Sequence, residues 1–161
     1  MAREPSAQKV VSEEQQIVVT GSRIERPNLS AADSLEVAGA DARAAPDWVR
    51  QDRAYRTFLA QLQSAVRRDD RNAVVRLVAF PLRVNSSGRT RSYRNARSVL
   101  DDYDRIFTPQ VRQAIVNQRF EQLFGNDQGV MIGDGWVWFD RTCPNSQCSP
   151  PGPVRIRAIN N

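Results

Sequence analysis

The sequence predicts an α+β domain over residues 46–161, preceded by a disordered tail over residues 1–45. Two patterns carry that expectation. In some stretches apolar residues recur at spacings of three and four, the period of a helix packed by one face. In others apolar and polar residues alternate, the period of a half-buried strand. Helices gathered in one block against strands in another point to α+β rather than to strictly alternating α/β. The tail differs in composition. It is low in aromatics and rich in Ala, Ser, Glu, Gln and Asp. Such a segment cannot offset an ordering cost of about 1 to 2 kcal/mol per residue. Its one β-prone stretch lies at residues 16–24, around Ile17 to Thr20.

The first helix is expected in "PDWVRQDRAYRTFLAQLQSAVRRDD", with Asp47 as N-cap. Trp48, Tyr55, Phe58, Leu59, Leu62 and Val66 form its core stripe. A short second helix follows in "DDRNAVVRLVAF", stopped by Pro81, with Val74, Val75, Leu77 and Val78 as core candidates. "PLRVNSSGRTRSYR" reads as a hairpin, with Leu82 and Val84 on one face and Ser-Ser-Gly at the turn. "NARSVLDDYDRIF" reads as a helix capped by Asn95. "TPQVRQAIVNQ" starts another, with Thr108 as N-cap and Pro109 at the first helical position. "NDQGVMIGDGWVWFD" then gives a second hairpin around Gly-Asp-Gly. In its second strand Trp136 and Trp138 point one way, and Val137 and Phe139 the other. In the last strand, "VRIRAIN", Val154, Ile156 and Ala158 share a face opposite Arg155 and Arg157.

The chain has 161 residues, 40% of them hydrophobic and 25% charged, which suits one globular domain plus a tail. No stretch approaches the roughly 18 apolar residues of a membrane span. The net charge is +5, and Lys9 is the only lysine among 23 cationic residues. Arginine-rich coding in a GC-rich genome explains this, and so does selection for planar guanidinium contacts. The spread of arginines along the chain favours the first. Histidine is absent, which removes Ser-His-Asp and Cys-His catalysis and histidine metal sites. Cys143 and Cys148 are too few for a structural zinc and lack CxxC redox spacing. They are expected to form a structural disulfide worth about 2 kcal/mol, which places the protein in an oxidising compartment. No signal-peptide core precedes the domain, so a periplasmic or otherwise exported address implies a chain written in its mature form. No cofactor or metal is expected.

Two resemblances extend this reading. "QQIVVTGSRIERPNLSA" resembles the start of the plug domain of TonB-dependent outer-membrane receptors, over about a dozen residues. It implies a periplasmic address or a segment that docks by strand addition. "FPLRVN", "YDRIFTPQVRQAI" and "NDQGVMIGDGWVWF", between Tyr55 and Phe139, resemble a group of small exported bacterial proteins of unassigned activity. Their architecture is similar to the SnoaL-like, ketosteroid-isomerase-like cone fold, that of nuclear transport factor two. The resemblance implies a strongly curved, mainly antiparallel sheet wrapped around helices. One face of each strand would be buried within the chain and the other available to a partner.

Cone folds host acid–base enzymes built on a buried Asp and Tyr. The candidates are Asp101, Asp104, Tyr55 and Tyr103. The competing reading makes "DDYDR" a solvated helix face with Tyr103 in the core, and it is preferred. The arginines of the first hairpin, Arg83 and Arg91 with Tyr93, suit an acidic surface or partner better than nucleic acid, which an exported protein rarely meets. Trp136 and Trp138 are expected to meet a homodimer partner or a small apolar ligand, because the second hairpin has more apolar surface than one face needs. The leading expectation is therefore an exported, non-enzymatic binding or interaction domain. Its rivals are an isomerase- or hydratase-like enzyme and an envelope accessory protein docking through its N-terminal segment.

Overall fold

The computed structural model describes residues 44–161. The tail, its expected disorder and its β-prone segment at 16–24 lie outside the described residues. The class is α+β. Among the described residues, six helices and one 3-10 turn accompany a six-stranded mixed sheet that does not close into a barrel.

What the sequence reads as one long first helix is two: α1, Asp47–Gln51, and α2, Arg53–Arg67. Asp52 between them is extended, and its carboxylate accepts the Ala54 N–H at 2.9 Å. Asp52 is thus the capping residue of α2. Asp47 is not a cap: Pro46 holds that position, and Asp47 pairs with Arg50. Tyr55, Phe58, Leu59, Leu62, Ala65 and Val66 form the buried stripe of α2. Trp48, expected in that stripe, is 44% exposed because the break turns α1 away from it.

Helix α3, Arg71–Arg76, is capped by Asp70, which accepts from the Ala73 N–H. It does not run to Pro81. Strand β1, Val78–Ser86, has already begun, and Pro81 lies inside it. The chain tolerates a residue without an N–H there because β1 slips against the last strand at that point. Val78 faces Ile156 and Arg83 faces Ala158, so five steps on one strand match two on the other. Strand β2, Arg89–Tyr93, returns through a turn whose central residues, Ser87 and Gly88, both have positive φ.

The next helix is also broken. Helix α4, Ala96–Asp101, is capped by Asn95, which accepts the Ser98 N–H at 2.9 Å. Helix α5, Tyr103–Ile106, restarts after Asp102. Helix α6, Pro109–Asn117, has Thr108 as its cap, as the sequence predicts. Strands β3 (Phe124–Asn126), β4 (Gly129–Ile132), β5 (Val137–Arg141) and β6 (Val154–Asn160) complete the sheet. Their order is β2-β1-β6-β5-β4-β3, with β1–β6 parallel and the other four pairings antiparallel.

One sheet face packs on the helices. Leu82, Val84, Val130, Ile132, Val137, Phe139, Ile156 and Ile159 are all buried, and Phe58 of α2 stacks on Phe139 at 4.8 Å. Ala158 is not part of this face. Trp138 faces Ala158 and Phe139 faces Ile156, so Arg157 is an extra, bulged residue and Ile159 turns inward instead. Trp136 also departs from its expected place. It lies in a four-residue turn from Gly133 to Trp136, with positive φ at both glycines, and packs against the core. Trp136 and Trp138 therefore do not share a face.

Candidate functional site

The register defines a row of side chains across the other sheet face. Phe124 of β3 sits opposite Met131 of β4, which sits opposite Trp138 of β5. Trp138 faces Ala158 of β6, Ala158 faces Arg83 of β1, and Arg83 faces Ser92 of β2. None of these six residues is buried, and none belongs to the hydrophobic core or to the side chains packed against it. The row is apolar over β3, β4 and β5 and cationic at β1.

A second row beside it is polar and tied together. Thr90 Oγ1 donates to Asn85 Oδ1 at 2.8 Å, Asn85 Nδ2 to Asn160 Oδ1 at 2.7 Å, and Asn160 Nδ2 to the Gly135 carbonyl at 2.5 Å. These bonds hold the two asparagine amides in place and use one N–H of each internally. Over these rows lies an open recess of about 400 Å3, lined by Arg83, Asn85, Gln128, Trp138, Arg157 and Asn160 together with Ala158. Neither Arg83 nor Arg157 makes an ion pair among the described residues. Guanidinium groups, the Trp138 indole N–H and the Gln128 amide thus give the recess more donors than acceptors. An occupant that supplies acceptors and negative charge fits that imbalance.

Arg91 and Tyr93, expected on the same surface as Arg83, lie on the opposite face of the hairpin. Tyr93 is buried, and its hydroxyl donates to Asp102 at 3.0 Å. Arg91 donates to the same carboxylate at 2.9 Å and lies over the Tyr93 ring. The three join β2 to the α4–α5 break. Burial, then the Asp102 bond, raises the Tyr93 hydroxyl above its ordinary pKa.

The four candidate catalytic residues are not brought together. Asp101 is exposed and pairs with Arg97, and Asp104 is exposed and held by both guanidinium nitrogens of Arg71, at 3.0 and 3.1 Å. Tyr103 is in the core, stacked on Phe107, and its hydroxyl has no hydrogen-bond partner among the described residues. Burial pushes that hydroxyl up to about 12. Tyr55 donates to Asp140 at 2.6 Å, a residue the sequence did not single out. Burial and that bond raise the Tyr55 hydroxyl well above its ordinary range. The pair is enclosed by Trp48 and Phe139 and lies next to the Asp52–Arg141 ion pair. It joins α2 to the end of β5 rather than facing a cavity formed with Asp101 or Asp104.

Cys143 and Cys148 form a disulfide in the loop between β5 and β6. Among the described residues no group of three or more His, Cys, Asp or Glu is placed to hold a metal ion. No described helix is long and apolar enough to cross a membrane. Compared with known proteins, the chain matches no family model, no curated protein and no solved structure.

Of the site residues, alternation along β1 marks Asn85 as sharing a face with Arg83. Gln128, Arg157 and Asn160 carry no such signal. A turn, a bulge and the register shift that the bulge imposes on the end of β6 bring them to the recess.

Proposed function

We propose that this chain is an exported, non-enzymatic binding domain whose working surface is the sheet face opposite the helices, and that its occupant bears negative charge. The observation that carries the proposal is the recess around Trp138, where two arginines without an ion-pair partner among the described residues stand beside an apolar row. A second copy of the chain suits the face less well than an anion. Pairing two such faces sets guanidinium groups against one another, and the row supplies no carboxylate to separate them. The disulfide supports an oxidising compartment, hence the exported address. The cone-like architecture of the SnoaL-like group is supported by the bulge at Arg157 and the slip beside Pro81, since both bend a sheet at one place. The isomerase-like alternative loses support, because Asp101 and Asp104 are solvated ion-pair partners.

Thermal unfolding of the full chain in citrate and in tripolyphosphate tests the proposal. Both anions are expected to raise the midpoint, by mass action on the folded state. The rise should shrink in R83A/R157A and persist in R53A/R119A, which removes two exposed arginines elsewhere. An equal rise in both variants, or none in the wild type, overturns the proposal.

A further inference from the structure

We infer that the recess beside Trp138 is a subsite for a small, ring-bodied carboxylate. The inference rests on the anion-binding reading above and names the occupant's chemistry. Three features narrow it. First, the charged and apolar parts of the recess adjoin. Trp138 lies directly opposite Ala158, and Ala158 lies directly opposite Arg83, so a ligand anchored on Arg83 reaches Trp138 within two strand spacings. Two such spacings are about 10 Å, the scale of one ring plus its acid group. Second, the side chain between them is a methyl group. Ala158 leaves room over the sheet, where a larger residue would separate the arginine from the indole. Third, the donors suit a carboxylate. Arg83 and Arg157 present planar forks that match two coplanar oxygens, and the Trp138 indole N–H and Gln128 amide remain for hydroxyl or carbonyl acceptors on the ring.

The Asn85–Asn160 relay contributes by position. With its amides tied to Thr90 and Gly135, it forms a fixed wall that leaves one N–H of each amide for the ligand. The apolar row continues past Trp138 to Met131 and Phe124, the latter 45% exposed, so the ring has an open apolar side to extend along. An aromatic acid and a uronic sugar share this chemistry, and the test separates them.

Full-length protein labelled with 5-fluorotryptophan gives one fluorine resonance for each of Trp48, Trp136 and Trp138, assigned with single Trp→Phe variants. Benzoate, glucuronate and ring-less acetate are the probes. At least one ring acid is expected to shift the Trp138 resonance and to bind at least threefold more tightly than acetate. W138A should abolish that preference while R83A/R157A weakens all three probes. Binding by benzoate alone identifies an aromatic acid, and binding by glucuronate alone identifies a saccharide. If the ring acids bind no better than acetate but binding still needs the arginines, the subsite inference fails and the anion-binding function stands. If R83A/R157A leaves every probe unaffected, the underlying function fails as well.

Discussion

Replacing Arg141 and Asp52, singly and together, probes the joint that ties the helices to the sheet. Arg141 at the end of β5 donates to Asp52 through Nε at 2.6 Å and Nη2 at 2.8 Å, and through Nη1 to the Gly152 carbonyl at 2.8 Å. The side chains are 26% and 29% exposed, so water screens the pair only partly. Exposed pairs contribute roughly 0.2 to 1 kcal/mol, and hydrogen bonds to charged groups about 1.5 to 3 kcal/mol. A bidentate, half-buried pair should fall between these, with a coupling energy of about 1 to 2 kcal/mol in a double-mutant cycle. Asp52→Ala also removes the Ala54 cap, a further cost of about 1 kcal/mol. The double variant should therefore be more stable than the sum of the single losses predicts.

The pair also sets a pH dependence. Its hydrogen bond with Arg141 is the main reason the Asp52 carboxyl is held below its ordinary value near 3.8. A folded-state value below the unfolded one stabilises the protein above the unfolded value. That stability is lost as pH falls through the lower, folded value. Urea unfolding of the four proteins at pH 7 and then at steps down through the acid range measures both effects. A coupling under about 0.3 kcal/mol at pH 7 would refute the joint. So would a coupling that stays constant after Asp52 has protonated.

Two of the three buried tyrosines should respond in opposite ways. Tyr55→Phe should cost about 1 to 3 kcal/mol by removing one of the two hydrogen bonds to the Asp140 carboxylate, whereas Tyr103→Phe should be neutral or stabilising, because its hydroxyl has no partner among the described residues; urea unfolding reads both. Phe139→Ala should cost about 3 to 5 kcal/mol, since Phe139 is 1% exposed and stacked on Phe58. The double variant C143S/C148S should keep its circular dichroism spectrum and lose about 2 kcal/mol or less. The base of that loop is closed independently, by Gly152 N–H to Thr142 O at 2.8 Å and Thr142 N–H to Pro153 O at 2.9 Å.

The amphipathic stripe of α2, the Thr108 and Asn95 caps, the disulfide and most strands were legible in the sequence because each depends on neighbours a few residues away. The two helix breaks were not. At Asp52 and Asp102 the apolar period continues through the break, since the pieces on either side bury residues in the same core. What stops the helix is an aspartate whose partners lie elsewhere in the chain. Asp52 meets Arg141 across 89 residues, and Asp102 meets Arg91 and Tyr93 of β2. A local pattern carries no trace of either contact. The catalytic candidates are not brought together, for a related reason. "DDYDR" places three carboxylates within one turn, but Arg71, Arg91 and Arg97 each claim one of them as an ion-pair partner.

The recess itself arises from a single residue that alternation along β6 could not reveal. In a regular ladder beyond the Phe139–Ile156 pair, Arg157 would stand opposite Trp138, and Ala158 would point inward opposite Val137. The bulge at Arg157 advances the register by one. Ala158 then faces Trp138, and Ile159 faces Val137 in the core, fully buried. The exchange serves both faces. The core receives a four-carbon side chain where alternation had offered a methyl group, worth roughly 0.8 kcal/mol for each added buried CH2. The outer face receives a methyl group beside the indole, which leaves open the space between Trp138 and Arg83. The same inserted residue thus fills the core and opens the site, and removing it would be felt on both sides of the sheet.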